Sequence, residues 1–351
     1  MAKNELRVRT QLLASILFAL FVFPFSASAV ATFERTYGGS GWDGGWSVQQ
    51  TLDRGYIIAG ATPYLGSGKY DVYLVKTDSL GNVLWEETYG EPYEDKGYSV
   101  QQTLDGGYVI AGKTYSFGGY GVDGDVYLIK TDSLGHLLWE RTYGGSEDDE
   151  GWSVQQTSDR GYIVAGYTGS FGAGYTDVCL FKTDSLGNVL WEKTYGGEST
   201  EYGYSVDQTV DGGYVVAGHT RIGAGNYDFY LVKTDSLGNL LWERTYGGSE
   251  NDRGYSVQQT SDGGYVIAGY TESFGAGSGD VYLVRTDSLG NVLWEKTYGG
   301  SRSDAVYDVQ QTLDGGFILG GHTYSFTDPW GDVYLVKTDS LGNTVCVSAR
   351  G

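Results

Sequence analysis

The chain has 351 residues, 44 Asp and Glu against 23 Lys and Arg, and a formal net charge of −21 at pH 7. So acidic a surface repels nucleic acid and anionic membrane, and excludes both as expected partners. It suits solubility outside the cell or association with cations, and by itself says nothing about catalysis.

The chain opens with Lys3, Arg7 and Arg9, an apolar run from Leu12 to Phe25, and the small residues Ala27-Ser28-Ala29. This pattern predicts a secretory signal peptide over residues 1–29, cleaved near Ala29. The run is shorter than the roughly 20 residues a spanning helix needs, and no other segment is comparably apolar. The expectation is therefore a protein without a membrane span, secreted or held at the cell surface or in the periplasm, with residues 30–351 as one domain.

Next comes Phe33-Glu34-Arg35-Thr36-Tyr37, which aligns with Trp85-Glu86-Glu87-Thr88-Tyr89 further on. From there the sequence repeats itself. The pentad TDSLG begins at Thr77, Thr131, Thr183, Thr234, Thr286 and Thr338, giving six units with a period of about 52 residues. One unit reads as four β-like segments: a, GYSVQQT (254–260); b, GYVIAGYT (264–271); c, DVYLVRT (280–286); and d, NVLWEKTY (291–298). They are short, rich in Val, Ile, Tyr, Thr and Trp, and bounded by Gly and Asp. Tight turns D-G-G or D-R-G join a to b, and S-L-G-N joins c to d, so each unit is an antiparallel meander. Segments b and c are apolar on both faces, as a sheet sandwiched between two others requires. Trp85, Trp139, Trp191, Trp242 and Trp294 recur once per unit and are expected to dock between neighbours.

The fold expected is all-β: a six-bladed β-propeller of four-stranded antiparallel blades, closed by the N-terminal strand. Phe33 to Tyr37 would complete the sixth blade beside Asp332 to Thr338. The tail from Thr344 to Ser348 competes for that slot but lacks the Trp and the TYG ending.

The string DVYLVKTDSLGNVLWEKTYG is similar to the propeller repeats of pyrroloquinoline quinone proteins, and YGGSEDDEGWSVQQTSDRGYIVAGYT resembles the surface-protein repeats known as SBBP β-propeller repeats. Both resemblances run through all six units. Quinoprotein dehydrogenases would further imply an adjacent-cysteine pair and a calcium-bound cofactor, and no adjacent cysteines occur here.

In such a meander the a-b and c-d turns share one face and the b-c and d-a loops share the other. The b-c loops differ between units, which makes theirs the expected ligand face. It offers Tyr64, Tyr115, Tyr120, Tyr175, Arg221, Tyr324 and Trp330 as candidate ligand-binding residues, with the S-F-G phenylalanines Phe117, Phe171, Phe274 and Phe326 as plugs under their loops. Aromatic faces beside hydrogen-bonding groups suit a glycan, a peptide or a protein partner.

An acid precedes each segment a: Asp43, Asp95, Asp149, Glu201, Asp252 and Asp304. These would ring the channel mouth. They read either as caps of their own backbone or as oxygen ligands for calcium, the one cofactor the sequence admits. Asp71, Asp125, Asp177, Asp228, Asp280 and Asp332 open segment c and read as caps. His136, His219 and His322 have no metal-ligand spacing or nucleophile motif around them. Cys179 and Cys346 fall at unrelated repeat positions and are expected to be free and buried.

The function expected is an exported, non-catalytic binding or surface-interaction module. The alternatives are a carbohydrate-active enzyme with acids at the channel mouth, and a structural component of the cell envelope.

Overall fold

The computed structural model describes residues 33–63, 69–117, 123–221, 225–326 and 331–344. The expected signal peptide lies outside these, as do Tyr64, Tyr120, Trp330 and Cys346. Among the described residues no helix is long and apolar enough to cross a membrane.

The repeat unit is a blade. Blade 1 consists of strands a to d at Gly44–Gln50, Tyr56–Thr62, Asp71–Thr77 and Val83–Tyr89. Blade 2 runs through Asp95–Gln102, Tyr108–Thr114, Asp125–Thr131 and Leu137–Tyr143. Blade 3 runs through Asp149–Gln156, Tyr162–Thr168, Asp177–Thr183 and Val189–Tyr195. Blade 4 comprises Glu201–Gln208, Tyr214–Arg221, Tyr227–Thr234 and Leu240–Tyr246. Blade 5 comprises Asp252–Gln259, Tyr265–Thr271, Asp280–Thr286 and Val292–Tyr298. Blade 6 has Asp304–Gln311, Phe317–Thr323 and Asp332–Thr338. The strands of each blade pair in chain order, so the architecture is a six-bladed β-propeller whose blades are mostly four-stranded.

The turns form as their residues dictate. In the c-d turn of blade 1, Asp78 Oδ1 accepts from the backbone N-H groups of Leu80 and Asn82, while Gly81 takes a φ of 75° that a side chain would resist. In the a-b turn, Asp53 caps Gly55 N-H and receives the ammonium of buried Lys76 at 2.8 Å. The same lysine or arginine to aspartate tie recurs in every blade.

Between blades, each expected Trp docks as predicted. Trp85 meets Tyr108 of the next blade with ring centroids 5.7 Å apart, and Trp139, Trp191, Trp242 and Trp294 repeat the contact. Each d-strand tyrosine latches the next blade by donating its hydroxyl to a c-d turn carbonyl: Tyr89 to Gly135, Tyr143 to Gly187, Tyr195 to Gly238, Tyr246 to Gly290 and Tyr298 to Gly342. Along the inner edge a second ladder joins the a strands. Val100 N-H donates to Ser47 Oγ, and Val154, Val206, Val257 and Val309 donate to Ser99, Ser153, Ser205 and Ser256.

Closure by the N-terminal strand is not seen. Phe33 to Tyr37 is not in a strand, and no described strand pairs with the outer edge of Asp332–Thr338. Thr344 makes a single bridge to Thr338, in the register in which Val292 meets Thr286 in blade 5. Tyr37 nevertheless donates to Gly81 O at 2.9 Å, as a d-strand tyrosine of a preceding blade would. The terminal blades keep apolar side chains exposed: Val48 is 65% exposed, and Val333 and Leu335 in strand c of blade 6 are 88% and 68% exposed.

An aromatic inner wall and its variable rim

The strand a residues Trp46, Tyr98, Trp152, Tyr204, Tyr255 and Tyr307 form a continuous row along the inner edge. Successive ring centroids lie 5.4, 4.2, 5.3, 5.6 and 5.3 Å apart. Their placement has a local cause. In every blade the a-b register slips at this residue, so the aromatic is the extra residue of a β-bulge. A bulge turns its side chain out of the pleat. Opposite it, strand b must be glycine: a Cβ at Gly112 would sit 1.7 Å from the carbonyl oxygen of Lys96, and one at Gly218 would sit 1.6 Å from that of Tyr202. All six aromatics remain partly exposed, Trp46 at 41% and Tyr307 at 54%.

Beside the bulge, toward the b-c and d-a loops, lies one cross-strand pair per blade, and it is different in every blade. The pairs are Gly44 with Ala61, Lys96 with Lys113, Glu150 with Tyr167, Tyr202 with His219, Arg253 with Tyr270, and Ala305 with His322. In blades 2 and 3, buried Lys113 reaches Glu150 at 2.7 Å and Asp148 at 2.9 Å, with its ammonium 4.5 Å from the Tyr115 ring centroid. Burial works against the Lys113 charge, but Glu150 outweighs it and holds the ammonium protonated. Burial, reinforced by the Glu150 charge, pushes the Tyr167 hydroxyl far up. In blades 4 and 5, His219 is only 5% exposed and contacts the rings of Tyr202, Tyr204 and Tyr227. Burial, then the nearby Arg253 charge, drives its pKa down to about 3, so its imidazole is neutral at pH 7. The Arg253 guanidinium lies 5.2 Å from the Tyr227 ring centroid.

The expected site residues are scattered by comparison. Tyr115 joins the Lys113 cluster, and Tyr324 packs on His322, which in turn touches Tyr307 of the aromatic row. Tyr175 stands out in solvent. Arg221 lines a separate cavity of about 580 Å³ with Glu201, Tyr230, Glu243 and Arg244. Phe117, Phe274 and Phe326 rest on the strand c tyrosines Tyr127, Tyr282 and Tyr334, yet keep a large part of their surface exposed.

The acids before strand a do not ring the mouth with open carboxylates. Asp95, Asp149, Glu201, Asp252 and Asp304 are buried, and each, like Asp43, accepts a d-a loop N-H four residues back. Ser116, Ser170, Ser273 and Ser325 donate to four of them, tying the b-c loop to the d-a loop. Asp177 and Asp280 cap b-c loop N-H groups as expected. Among the described residues no three His, Cys, Asp or Glu side chains converge to hold a metal. Cys179 is buried with a free thiol, which burial pushes well up.

No family model matches the chain. Over 222 residues it is 28% identical to the regulatory protein FlaEY of Caulobacter vibrioides, covering 56% of this chain but only 23% of that protein. Among solved structures, a Bacteroides caccae protein of unknown function matches at 15% identity over 80% of this chain and 90% of its own, with a TM-score of 0.49. The Pan2 WD40 domain of Neurospora crassa matches at 10% identity over 85% and 80%, also at 0.49, and Sqt1 of Chaetomium thermophilum at 12% over 86% and 70%, at 0.48.

Proposed function

We propose that this chain is an exported, non-catalytic binding propeller whose ligand lies across the inner aromatic row and the variable rim beside it. The observation that carries the reading is the row itself: six bulge aromatics, each touching the next, left partly open to water. Six aromatics lined up ring to ring along an edge that stays partly open to water offer a flat surface to a ligand. Flat, half-exposed rings with hydroxyl and indole N-H groups suit a glycan or an extended peptide. The rim supplies what the repeat lacks, a different residue pair in each blade, and hence one preferred seat along the row. Similarity to a protein named as regulatory agrees with a role exercised by binding. Export follows from the signal-like residues 1–29.

The reading is tested on a glycan and peptide array, with calcium and with chelator, using the wild type and a Tyr98→Ala/Trp152→Ala variant. Selective binding lost in a still-folded variant supports it. Binding that survives loss of the row, or a blank array, overturns it.

A further inference from the structure

Resting on that reading, we propose that the sector of the inner wall across blades 3, 4 and 5 is a site for a sugar acid, a saccharide carrying one carboxylate. Three buried side-chain nitrogens have no hydrogen-bond partner among the described residues: Trp152 Nε1, His219 Nδ1 and Arg253 Nε. They fall in one place. Tyr204 contacts the rings of Trp152 at 5.3 Å, His219 at 5.3 Å and Tyr255 at 5.6 Å. Arg253 covers Tyr227, whose ring centroid is 4.7 Å from that of His219. Buried polar nitrogens left without partners are costly, and a ligand that supplies acceptors removes the cost.

The charges select the ligand. Of the three cations in the rim pairs, Lys113 is held by Glu150 and Asp148, and Lys96 by Glu94. Arg253 makes no ion pair with a described carboxylate, and neutral His219 beside it adds no second charge. One guanidinium without a carboxylate partner among the described residues matches one carboxylate, although it also bonds the Tyr255 hydroxyl, and the net charge of −21 opposes a polyanion. The shape favours a ring. Tyr202 and Tyr204 lie within 11° of parallel with centroids 6.0 Å apart, and aromatic surface of this kind suits the C-H side of a pyranose. In the bound state Arg253 and the Trp152 indole donate to carboxylate and ring oxygens, and the neutral imidazole of His219 exchanges a hydrogen bond with a hydroxyl.

The test is a titration of the full chain, followed by tryptophan fluorescence and ligand-observed NMR, with the methyl uronides of glucose, galactose and mannose and with their neutral glycosides. We expect at least one uronide to bind tenfold or more tighter than its neutral counterpart. Arg253→Gln should erase that preference, and His219→Phe, which keeps the ring packing, should weaken both. An unchanged preference in Arg253→Gln, equal binding of acid and neutral sugar, or no uronide binding overturns the proposal. Neutral ligands that still depend on Tyr98 and Trp152 would leave the broader reading standing; a blank array would remove that as well.

Discussion

Tyr98 of blade 2 and Trp152 of blade 3 stack face to face, with centroids 4.2 Å apart and planes within 5° of parallel. Both rings are partly buried, and both occupy the extra position of a β-bulge. Such a pair contributes about 0.5–1.5 kcal/mol beyond the area it covers. Tyr98→Ala should therefore lower stability by about 1 kcal/mol in urea unfolding while reducing ligand binding at least tenfold. Loss of stability in proportion to the loss of binding would make the stack a packing element only.

The glycine opposite each bulge should be irreplaceable. Gly112→Ala drives a Cβ into the Lys96 carbonyl, so the bulge must move, and destabilisation of about 2–3 kcal/mol is expected. Gly197→Ala, where a Cβ meets nothing within 4 Å, is the control and should be nearly neutral. Equal effects in denaturant titration would contradict the bulge account.

The stacking of blades was legible in the sequence, and the inner wall was not. Strand periodicity, the S-L-G-N turns and the once-per-unit Trp85-type residue each point to a single packing role, and the structure uses them that way. The variable b-c loops drew attention instead of the a strands, because G-Y-S-V and G-W-S-V read as ordinary strand residues. The missed signal was the glycine that recurs inside strand b of all six blades, Gly60, Gly112, Gly166, Gly218, Gly269 and Gly321: a glycine inside a strand marks a bulge or a close backbone approach. A second was variation at the rim pair, where Lys113, Tyr167, His219, Tyr270 and His322 take turns in an otherwise uniform unit. Which segment fills the fourth position of blade 6 was not legible in the sequence, because Phe33 to Tyr37 and the tail from Thr344 are both strand-like, and the structure shows only the single Thr344–Thr338 bridge there.

Stability should peak in mildly acidic solution. Burial, assisted by the neighbouring Asp71 and Asp252 respectively, raises Asp95 and Asp228 to about 6. A carboxyl with a raised folded pKa binds its proton more tightly in the fold, so these two add stability as pH falls from above 6 toward 4. Asp53 works the other way: the hydrogen bond from Lys76 lowers it to about 2, and its contribution is lost as pH falls through that value. The unfolding midpoint should thus rise from pH 8 to about 5 and fall below about 3, with Asp95→Asn flattening the upper slope. A midpoint that climbs steadily from pH 5 to 8 would contradict this.

The exposed ends of the array should recognise each other. Internal junctions pair a Val N-H with a Ser hydroxyl; blade 1 presents Val48, and blade 6 presents Asp308 at the serine position. A Val48→Cys/Asp308→Cys variant should form a disulfide within one chain under mild oxidation, mapped by mass spectrometry. Exclusive cross-linking between chains would show that the ends join different copies.

The central claim is that ligand lies on the bulge aromatics. Hydroxyl-radical footprinting with a ligand found on the array measures it directly. Protection should centre on Tyr98, Trp152, Tyr204 and Tyr255, with Tyr175 unchanged. Protection confined to Tyr175 and the b-c loops, or to the c-d turn leucines Leu134 and Leu186, would contradict the account.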